Sequence, residues 1–159
     1  MKDNNHYLKK NGFSFAGSIT HVKEEIQVSD WTDDAIENFP GIYCWVLFDQ
    51  MNNIKEVLYI WKYGKNLKKR FREHIGGFRG GSNSGLKKKT FLVKKLKDTK
   101  TKIEIWHKKS HTFKKEYTSV LDHKKSGRFS TEGYDEEDMI EYVTKFQKFA
   151  PKLNGTKGG

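Results

Sequence analysis

Two strongly apolar segments, separated by five turn-forming residues, constrain the fold of this chain more than any other feature. They span residues 41–48 (GIYCWVLF) and 54–61 (IKEVLYIW), and both are rich in β-branched and aromatic side chains. The intervening residues 49–53 (DQMNN) have turn chemistry and the length of a hairpin loop. Apolar runs on either side of such a turn predict an antiparallel β-hairpin.

Downstream of the hairpin, the apolar spacing becomes helical. Leucine, phenylalanine and isoleucine recur at every fourth position within residues 66–75, which predicts a helix. The glycine-rich residues 76–85 (GGFRGGSNSG) are expected to be flexible, and a second, basic helix is expected over 86–97. Ile103 and Ile105 then alternate with polar residues, so a third strand is predicted there.

Two more helices are predicted in the C-terminal part of the chain. The first is indicated by a stripe of apolar side chains that ends before Gly127, namely Phe113, Tyr117, Val120 and Leu121. The second begins with the acidic residues 135–138 (DEED), because carboxylates are favoured at the positive end of the helix dipole. Pro151 is expected to close this last helix.

The order of these elements predicts an α+β fold, with a small antiparallel three-stranded sheet flanked by helices. Residues 1–40 are interpreted as an irregular N-terminal lead-in, with a short edge strand over 12–18 and a short helix over 30–38. Residues 41–159 are interpreted as the functional domain. A chain of 159 residues can bury a core of its own without disulfides or structural metals.

The charge of the chain indicates a polyanionic partner. Lys and Arg number 31 against 20 Asp and Glu, which gives a formal charge of +11. The cations concentrate between residues 62 and 115, so one cationic face is expected. Such a face attracts nucleic acid. A lysine-rich surface without a ligand is the plain alternative.

Several classes of protein are excluded by composition. With Cys44 as the single cysteine, neither an internal disulfide nor a zinc site of several cysteines can form. No apolar run approaches the roughly 20 residues that span a bilayer, and residues 1–10 contain no signal-peptide core. We therefore expect a cytoplasmic protein with no membrane contact.

A few residue patterns could support phosphate chemistry. Arg70 and His74 are four residues apart on one helix face, where an arginine can bind a phosphate and a histidine can move a proton. Strand tyrosines usually pack in cores, yet a hydroxyl beside cations can accept a proton. Glu141, in the last helix, is a carboxylate in a cationic protein and a suitable Mg²⁺ ligand near a phosphodiester.

Taken together, these features resemble the GIY-YIG nuclease family. The tripeptide Gly-Ile-Tyr at 41–43 opens the hairpin, and Tyr59 is followed by isoleucine near the end of its second strand. Residues 65–70 (KNLKKR) resemble the helix that carries the family's catalytic arginine, and the segment from Glu141 to Asn154 resembles its metal-binding glutamate and Pro/Asn closure. The resemblance covers about residues 41–154. The chain departs from it at Trp61, where the family usually has glycine.

The resemblance implies an endonuclease that hydrolyses phosphodiester bonds in double-stranded DNA with Mg²⁺ or Mn²⁺. Glu141 would hold the metal, and Arg70 would stabilise the charge of the transition state. Tyr43 would orient or deprotonate the attacking water, with its pKa lowered by Lys62 or Lys65.

Supporting roles are implied for further residues. His74 would assist Tyr43, Asn154 would maintain the geometry around Glu141, and either Tyr59 or Tyr63 would complete the water-binding side. Basic side chains on the two helices and their loops are expected to contact DNA: Lys65, Lys68, Arg72, Arg79, Lys87, Lys88 and Lys89.

The short chain favours a free-standing enzyme of restriction or phage type, and cutting both strands favours a homodimer or higher homo-oligomer. The alternative is a basic nucleic-acid-binding module that has lost catalysis at Trp61. An RNA-directed nuclease or binder shares every feature described above.

Overall fold

An antiparallel sheet of five strands forms the centre of the fold. The strands, in chain order, are β1 (Ser14–Val22), β2 (Glu25–Ser29), β3 (Gly41–Asp49), β4 (Ile54–Tyr63) and β5 (Thr101–Lys109). Their spatial order is β2-β1-β5-β3-β4. The computed structural model describes residues 6–155, so the two ends of the chain, 1–5 and 156–159, lie outside the described residues.

The predicted hairpin is confirmed as β3 and β4, and the predicted third strand as β5. The connecting turn is held by Asp49, whose Oδ1 accepts hydrogen bonds from the backbone N–H groups of Met51 and Asn53 at 2.9 and 2.8 Å. β3 is bonded to a strand on each side, and apolar clusters cover both faces of the sheet. Every residue of β3 from Gly41 to Phe48 is therefore buried. A continuous apolar run is typical of such a central strand.

The prediction of only three strands is wrong, because part of the predicted irregular lead-in supplies β1 and β2. β1 pairs with β5 and is an interior strand rather than an edge. Its register shifts between Phe15 and Gly17, and Ala16 and Gly17 are buried next to each other. This irregularity breaks the period of two, which is the signal that identifies a strand in a sequence.

Five helices are described: α1 (Tyr7–Lys10), α2 (Asp33–Ile36), α3 (Leu67–Gly76), α4 (Asn83–Leu96) and α5 (Glu132–Gln147). They include the helices predicted over 66–75, over 86–97 and after residue 135. A π-helical turn, Gly77–Gly81, joins α3 to α4, so the segment predicted to be flexible is mostly helical. No helix within residues 6–155 is long and apolar enough to cross a membrane.

The helix predicted from Phe113 to Leu121 does not form. Instead β6 (Thr112–Thr118) and β7 (Lys124–Ser130) make a separate two-stranded hairpin. A spacing of four, as between Phe113 and Tyr117, is also an even number. It therefore places both side chains on one face of a strand as well as on one face of a helix.

The sheet separates two apolar clusters because alternate strand residues point to opposite faces. The cluster on one face includes Tyr43 and Trp45 of β3 and is covered by α3 and α4, which contributes Leu92. The cluster on the other face includes Ile42 and Cys44 of β3 and is covered by α1 and α5, which contributes Val143. The residues described below as the candidate active site lie on the first face.

Candidate active site

A bulge in β4 brings two of the predicted tyrosines onto one face of the sheet. In the β3–β4 register Trp45 faces Tyr59, whereas Val46 faces Val57, so Leu58 is an extra residue in β4. Leu58 and Tyr59 therefore both belong to the cluster on the α3 side, together with Tyr43. The ring centroids of Tyr43 and Tyr59 are 6.0 Å apart.

Tyr63 lies on the same face but serves a different part of the fold. Its hydroxyl is 3.0 Å from Nδ1 of His107 on β5, and its ring packs over the backbone of Gly41. A Cβ atom at Gly41 would lie only 2.5 Å from the Tyr63 hydroxyl, so the packing of Tyr63 on this backbone requires glycine at position 41. Tyr59 lines the pocket described below, and Tyr63 does not.

Helix α3 presents the predicted arginine and histidine to the two tyrosines. The helix begins after Asn66, whose side chain accepts a hydrogen bond from the Lys69 backbone N–H at 2.8 Å. Nε2 of His74 is 2.5 Å from the Tyr43 hydroxyl, and Arg70 forms an ion pair with Glu73. The Tyr43–His74 hydrogen bond joins strand β3 to helix α3 under the pocket.

A pocket of about 380 Å³ opens between β4, α3, α4 and the C-terminal segment. Its lining combines cationic, aromatic and amide side chains with one carboxylate, and it includes Tyr59, Trp61, Arg70, Glu73, His74, Lys88 and Asn154. Lys88 places Nζ 4.4 Å from the centroid of the Tyr59 ring, and Trp61 stacks on the same tyrosine with ring planes 6° apart. Tyr59 thus contacts both a cation and an indole.

Asn154 reaches the pocket because the chain after α5 runs along the free edge of β4. Its Nδ2 donates to the Ile60 carbonyl at 2.7 Å, and its Oδ1 accepts from the Ile60 N–H at 2.8 Å. The backbone N–H of Leu153 donates to the Leu58 carbonyl at 2.9 Å. These three bonds satisfy edge groups of β4 that would otherwise be open to pairing.

Burial controls protonation in this site. It raises the pKa of Tyr43 well above its usual value, and the Tyr59 hydroxyl adds to this effect while Arg70 opposes it. The expectation that lysines lower the pKa of Tyr43 is therefore wrong, because the side chain is completely buried. Burial likewise raises the pKa of Tyr59 to about 12, although Arg70 and the hydrogen bond with Tyr43 partly oppose it.

His74 is neutral in the folded protein. Burial lowers its pKa to about 3, and the charges of Arg70 and Lys88 contribute in the same direction. Burial also lowers the pKa of Lys88, with a further contribution from Arg70. At neutral pH the site thus presents protonated tyrosines and an uncharged imidazole beside a guanidinium.

Besides Tyr63, two predicted site residues lie away from this pocket, Lys62 and Glu141. Lys62 alternates to the opposite face of β4, where its Nζ is 4.0 Å from a carboxylate oxygen of Glu136. Glu141 lies on an exposed part of α5, and its Oε1 accepts a hydrogen bond from Lys145 at 2.7 Å. The ammonium of Lys145 lowers the pKa of Glu141, so this carboxylate is ionised at neutral pH.

The predicted DNA-contacting residues all lie on α3, α4 or the segments next to them. Lys65, Arg72, Arg79 and Lys87 are exposed, Lys68 and Lys89 are half-buried, and Lys88 enters the pocket. Arg79 is 3.8 Å from a carboxylate oxygen of Glu25. Of these seven predicted residues, Lys88 alone lines the pocket.

Glu136 was missed as a candidate site residue. It is a buried carboxylate on α5, and its charge raises the pKa of Tyr59. In the sequence it belongs to the acidic run 135–138, whose position predicts the start of a helix with carboxylates at the positive end of its dipole. The helix begins earlier, at Glu132, so this run lies mostly beyond the first turn.

Comparison with solved structures identifies a relative of this architecture. Bacteriophage T4 EndoII, in a mutant form, superimposes with a TM-score of 0.61 at 18% identity, over 86% of this chain and 92% of that one. The two chains share a fold. Restriction endonuclease HPY188I in complex with product DNA gives a TM-score of 0.46 at 18% identity, over 98% of this chain and 88% of that one. No protein-family model and no curated protein matches the sequence.

Proposed function

We propose that this protein is a metal-dependent DNA endonuclease of the GIY-YIG type. The observation that carries the proposal is the convergence of Tyr59, Arg70, His74 and Lys88 at one pocket, with Tyr43 hydrogen-bonded to His74 behind it. A guanidinium and an ammonium suit a phosphodiester, and tyrosine with histidine suits proton transfer. The fold shared with EndoII, an endonuclease, supports the same conclusion.

Arg70 is the group that would stabilise the reacting phosphate. It lines the pocket and carries its charge at any physiological pH. Burial alone would lower its pKa, but Tyr43 and Glu73 outweigh that effect and raise it. In the transition state, its N–H donors would face the charge that develops on the phosphate oxygens. Lys88, from the next helix, adds a second positive charge to the same pocket.

The tyrosines and His74 would move the proton of the attacking water. Tyr59 lines the pocket, and Tyr43 lies behind it, hydrogen-bonded to His74. For a proton of the attacking water to pass to Tyr59, Tyr59 would give its own proton to Tyr43 and Tyr43 would give its own to Nε2 of His74, so that both tyrosines stay neutral and the imidazole ends with the proton. A bound phosphate favours this transfer, because its negative charge raises the pKa of the imidazole.

Glu141 is proposed to hold Mg²⁺, which when bound would supply neutralising charge to the phosphate. Because Glu141 lies outside the pocket, on the helix that packs against the other face of the sheet, this assignment requires the bound DNA backbone to reach from the pocket to α5. Within residues 6–155, three or more His, Cys, Asp or Glu side chains nowhere cluster as a ready-made metal cage. Mg²⁺ often binds through one or two carboxylates, water and substrate phosphate, so one accessible ionised carboxylate fits it. Binding would release Glu141 from its ion pair with Lys145.

The partner is proposed to be double-stranded DNA, for which the net charge of +11 provides long-range attraction. One pocket per chain would cut one strand, so cleavage of both strands is proposed to involve a homodimer or a higher oligomer. A restriction-type or phage-type role is the biological setting that we propose for it.

Incubation of supercoiled plasmid with the protein tests this proposal directly. We expect metal-dependent nicked or linear products with Mg²⁺, none with EDTA, and none for Arg70→Ala. Binding without cleavage under every metal condition would instead indicate a nucleic-acid-binding module. A matched single-stranded RNA substrate separates a DNase from an RNase.

The metal assignment has its own controls on the same helix. Glu141→Gln is expected to abolish cleavage while duplex binding persists, whereas the exposed Glu137→Gln should cleave at the native rate. Loss of cleavage in Glu136→Gln but not in Glu141→Gln would transfer the metal-binding role to the buried carboxylate. In that case the nuclease proposal would stand and the Glu141 assignment would be wrong.

A further inference from the structure

The hairpin of β6 and β7 contributes nothing to the pocket and almost nothing to the core. Its strands pair only with each other among the strands of the described chain. All seven residues of β6 are exposed, and Val120 and Leu121 at its tip are 97% and 70% exposed. A segment that buries so little apolar surface is explained poorly by stability alone.

The hairpin is nevertheless well ordered by local interactions. At its base, Asp135 accepts hydrogen bonds from Ser110 and Thr131 at 2.6 and 2.7 Å. At its tip, the Ser119 carbonyl accepts a hydrogen bond from the Asp122 N–H at 2.9 Å, and Ser119 N–H donates to the His123 carbonyl at 2.8 Å. Both ends are therefore fixed, and little conformational entropy would be lost on binding.

One face of the hairpin explains its internal stability. The rings of Phe113 and Phe129 stack with centroids 5.9 Å apart, and Tyr117 meets Phe129 edge-on at 5.8 Å. Gly127 leaves space for them, because a Cβ atom there would lie 3.2 and 3.3 Å from the Tyr117 and Phe129 rings. Cross-strand aromatic contacts of this kind stabilise a two-stranded ribbon.

The other face has a charge pattern that does not stabilise the hairpin. Lys114 and Arg128 lie directly opposite each other in the register, and like charges at such positions are destabilising. Lys124 lies on the same face, opposite Thr118, and Glu116 lies between the two pairs, opposite Ser126, so this face carries three cations and one carboxylate. From residue 112 to 130 there are five Lys and Arg against two Asp and Glu. A polyanion bound to this face would relieve the repulsion.

We propose that the face formed by Lys114, Lys124 and Arg128 is a second DNA-binding surface, which enters a groove of the duplex and contacts its phosphates. Two-stranded ribbons fit the roughly 12 Å width of the major groove. The hairpin follows β5, whose Lys109 pairs with Gly41, two residues from Tyr43 on β3. The proposal requires one duplex to contact both the hairpin and the pocket. This inference rests on the proposed nuclease function, since it assigns a contact surface for the same substrate.

The test compares two triple variants that remove the same charge. Lys114→Ala/Lys124→Ala/Arg128→Ala changes the ribbon, and Lys10→Ala/Lys55→Ala/Lys100→Ala removes three exposed lysines elsewhere. Binding of a fluorescent duplex is measured in EDTA as a function of salt. We expect the ribbon variant to lose about tenfold or more in affinity and to reduce the salt slope by about 2–3, at roughly 0.9 per phosphate contact. The control should change much less.

Cleavage distinguishes failure of this inference from failure of the proposed function. At limiting enzyme, the control variant should cut plasmid at about the wild-type rate, whereas the ribbon variant should cut more slowly, in proportion to its lost affinity. Equal losses in both triple variants, or none in either, would overturn the inference and leave the nuclease intact. A wild-type chain that neither binds nor cuts duplex would overturn both. A shift from oligomer to monomer in sedimentation, seen in the ribbon variant and not in the control, would show that this face contacts a second copy of the chain. That result would overturn the inference that the face binds DNA.

Discussion

The Tyr43 hydroxyl and Nε2 of His74 are 2.5 Å apart, and a second pair of the same chemistry lies nearby. The Tyr63 hydroxyl is 3.0 Å from Nδ1 of His107, on the same face of the sheet. Both tyrosines are buried and bonded to a histidine, but only His74 lines the pocket. The two pairs therefore provide an internal comparison between a hydroxyl proposed to serve catalysis and one that serves only the fold.

Replacement of each tyrosine by phenylalanine uses this comparison. Each change should lower the free energy of unfolding by about 1 kcal/mol, because one buried hydrogen bond is lost. Tyr43→Phe is expected to slow cleavage by about 10²-fold or more, the usual contribution of an acid–base group. Tyr63→Phe should cleave at nearly the native rate. A similar slowing in both variants would assign Tyr43 to packing alone.

The geometry of the guanidinium at Arg70 should matter more than its charge. In Arg70→Lys the positive charge remains but the planar set of donors is lost, so cleavage should fall by about 10²-fold or more. Duplex affinity should change only a few-fold. Arg72→Lys, two residues along α3 and exposed, is the control and should behave like the native protein. A larger loss of affinity than of cleavage rate would make Arg70 a docking residue.

Burial of His74 predicts a specific loss of stability in acid. Its pKa falls from 6.5 to about 3 on folding, so the unfolded chain takes up the proton first as the pH decreases. The stabilisation is therefore complete above the unfolded pKa and is lost as the pH falls toward 3. Between about pH 8 and about pH 5, this group should cost the folded state about 2 kcal/mol.

Urea unfolding at the two pH values checks this prediction. His74→Gln should lose less stability than the native protein over the same interval, since the glutamine does not titrate. His123→Gln, at the exposed tip of the β6–β7 hairpin, should lose as much as the native protein does. Identical acid sensitivity in the native protein and His74→Gln would contradict the assignment.

Two amide side chains bind the free edge of β4, and only one of them lines the pocket. Asn154 bridges the N–H and carbonyl of Ile60, and Gln147 bridges those of Val57 at 3.0 and 3.3 Å. Alanine at either position should cost about 1–3 kcal/mol of stability. Asn154→Ala should also reduce cleavage, because it releases the segment that closes the pocket, whereas Gln147→Ala should not. Full activity in Asn154→Ala would show that this closure is dispensable.

The elements predicted correctly are those with an unambiguous local signal. The apolar runs around residues 49–53 specify the hairpin, and the four-residue period after Asn66 specifies α3. The five-stranded sheet was missed because a bulge near Ala16 disrupts alternation in β1. The β6–β7 hairpin was mistaken for a helix because the spacing from Phe113 to Tyr117 fits both structures.

By itself, the sequence determined that Arg70 and His74 share a helix face, since four residues make about one turn of any helix. It also determined the net positive charge and the strand that carries Tyr43. Only the tertiary structure separates Tyr59, which lines the pocket, from Tyr63, which bonds to His107, because both lie on the same face of β4 and differ in what the fold packs around them. The fold likewise decided protonation: burial keeps the tyrosines protonated and His74 neutral, and burial is a property of residues brought together from distant parts of the chain.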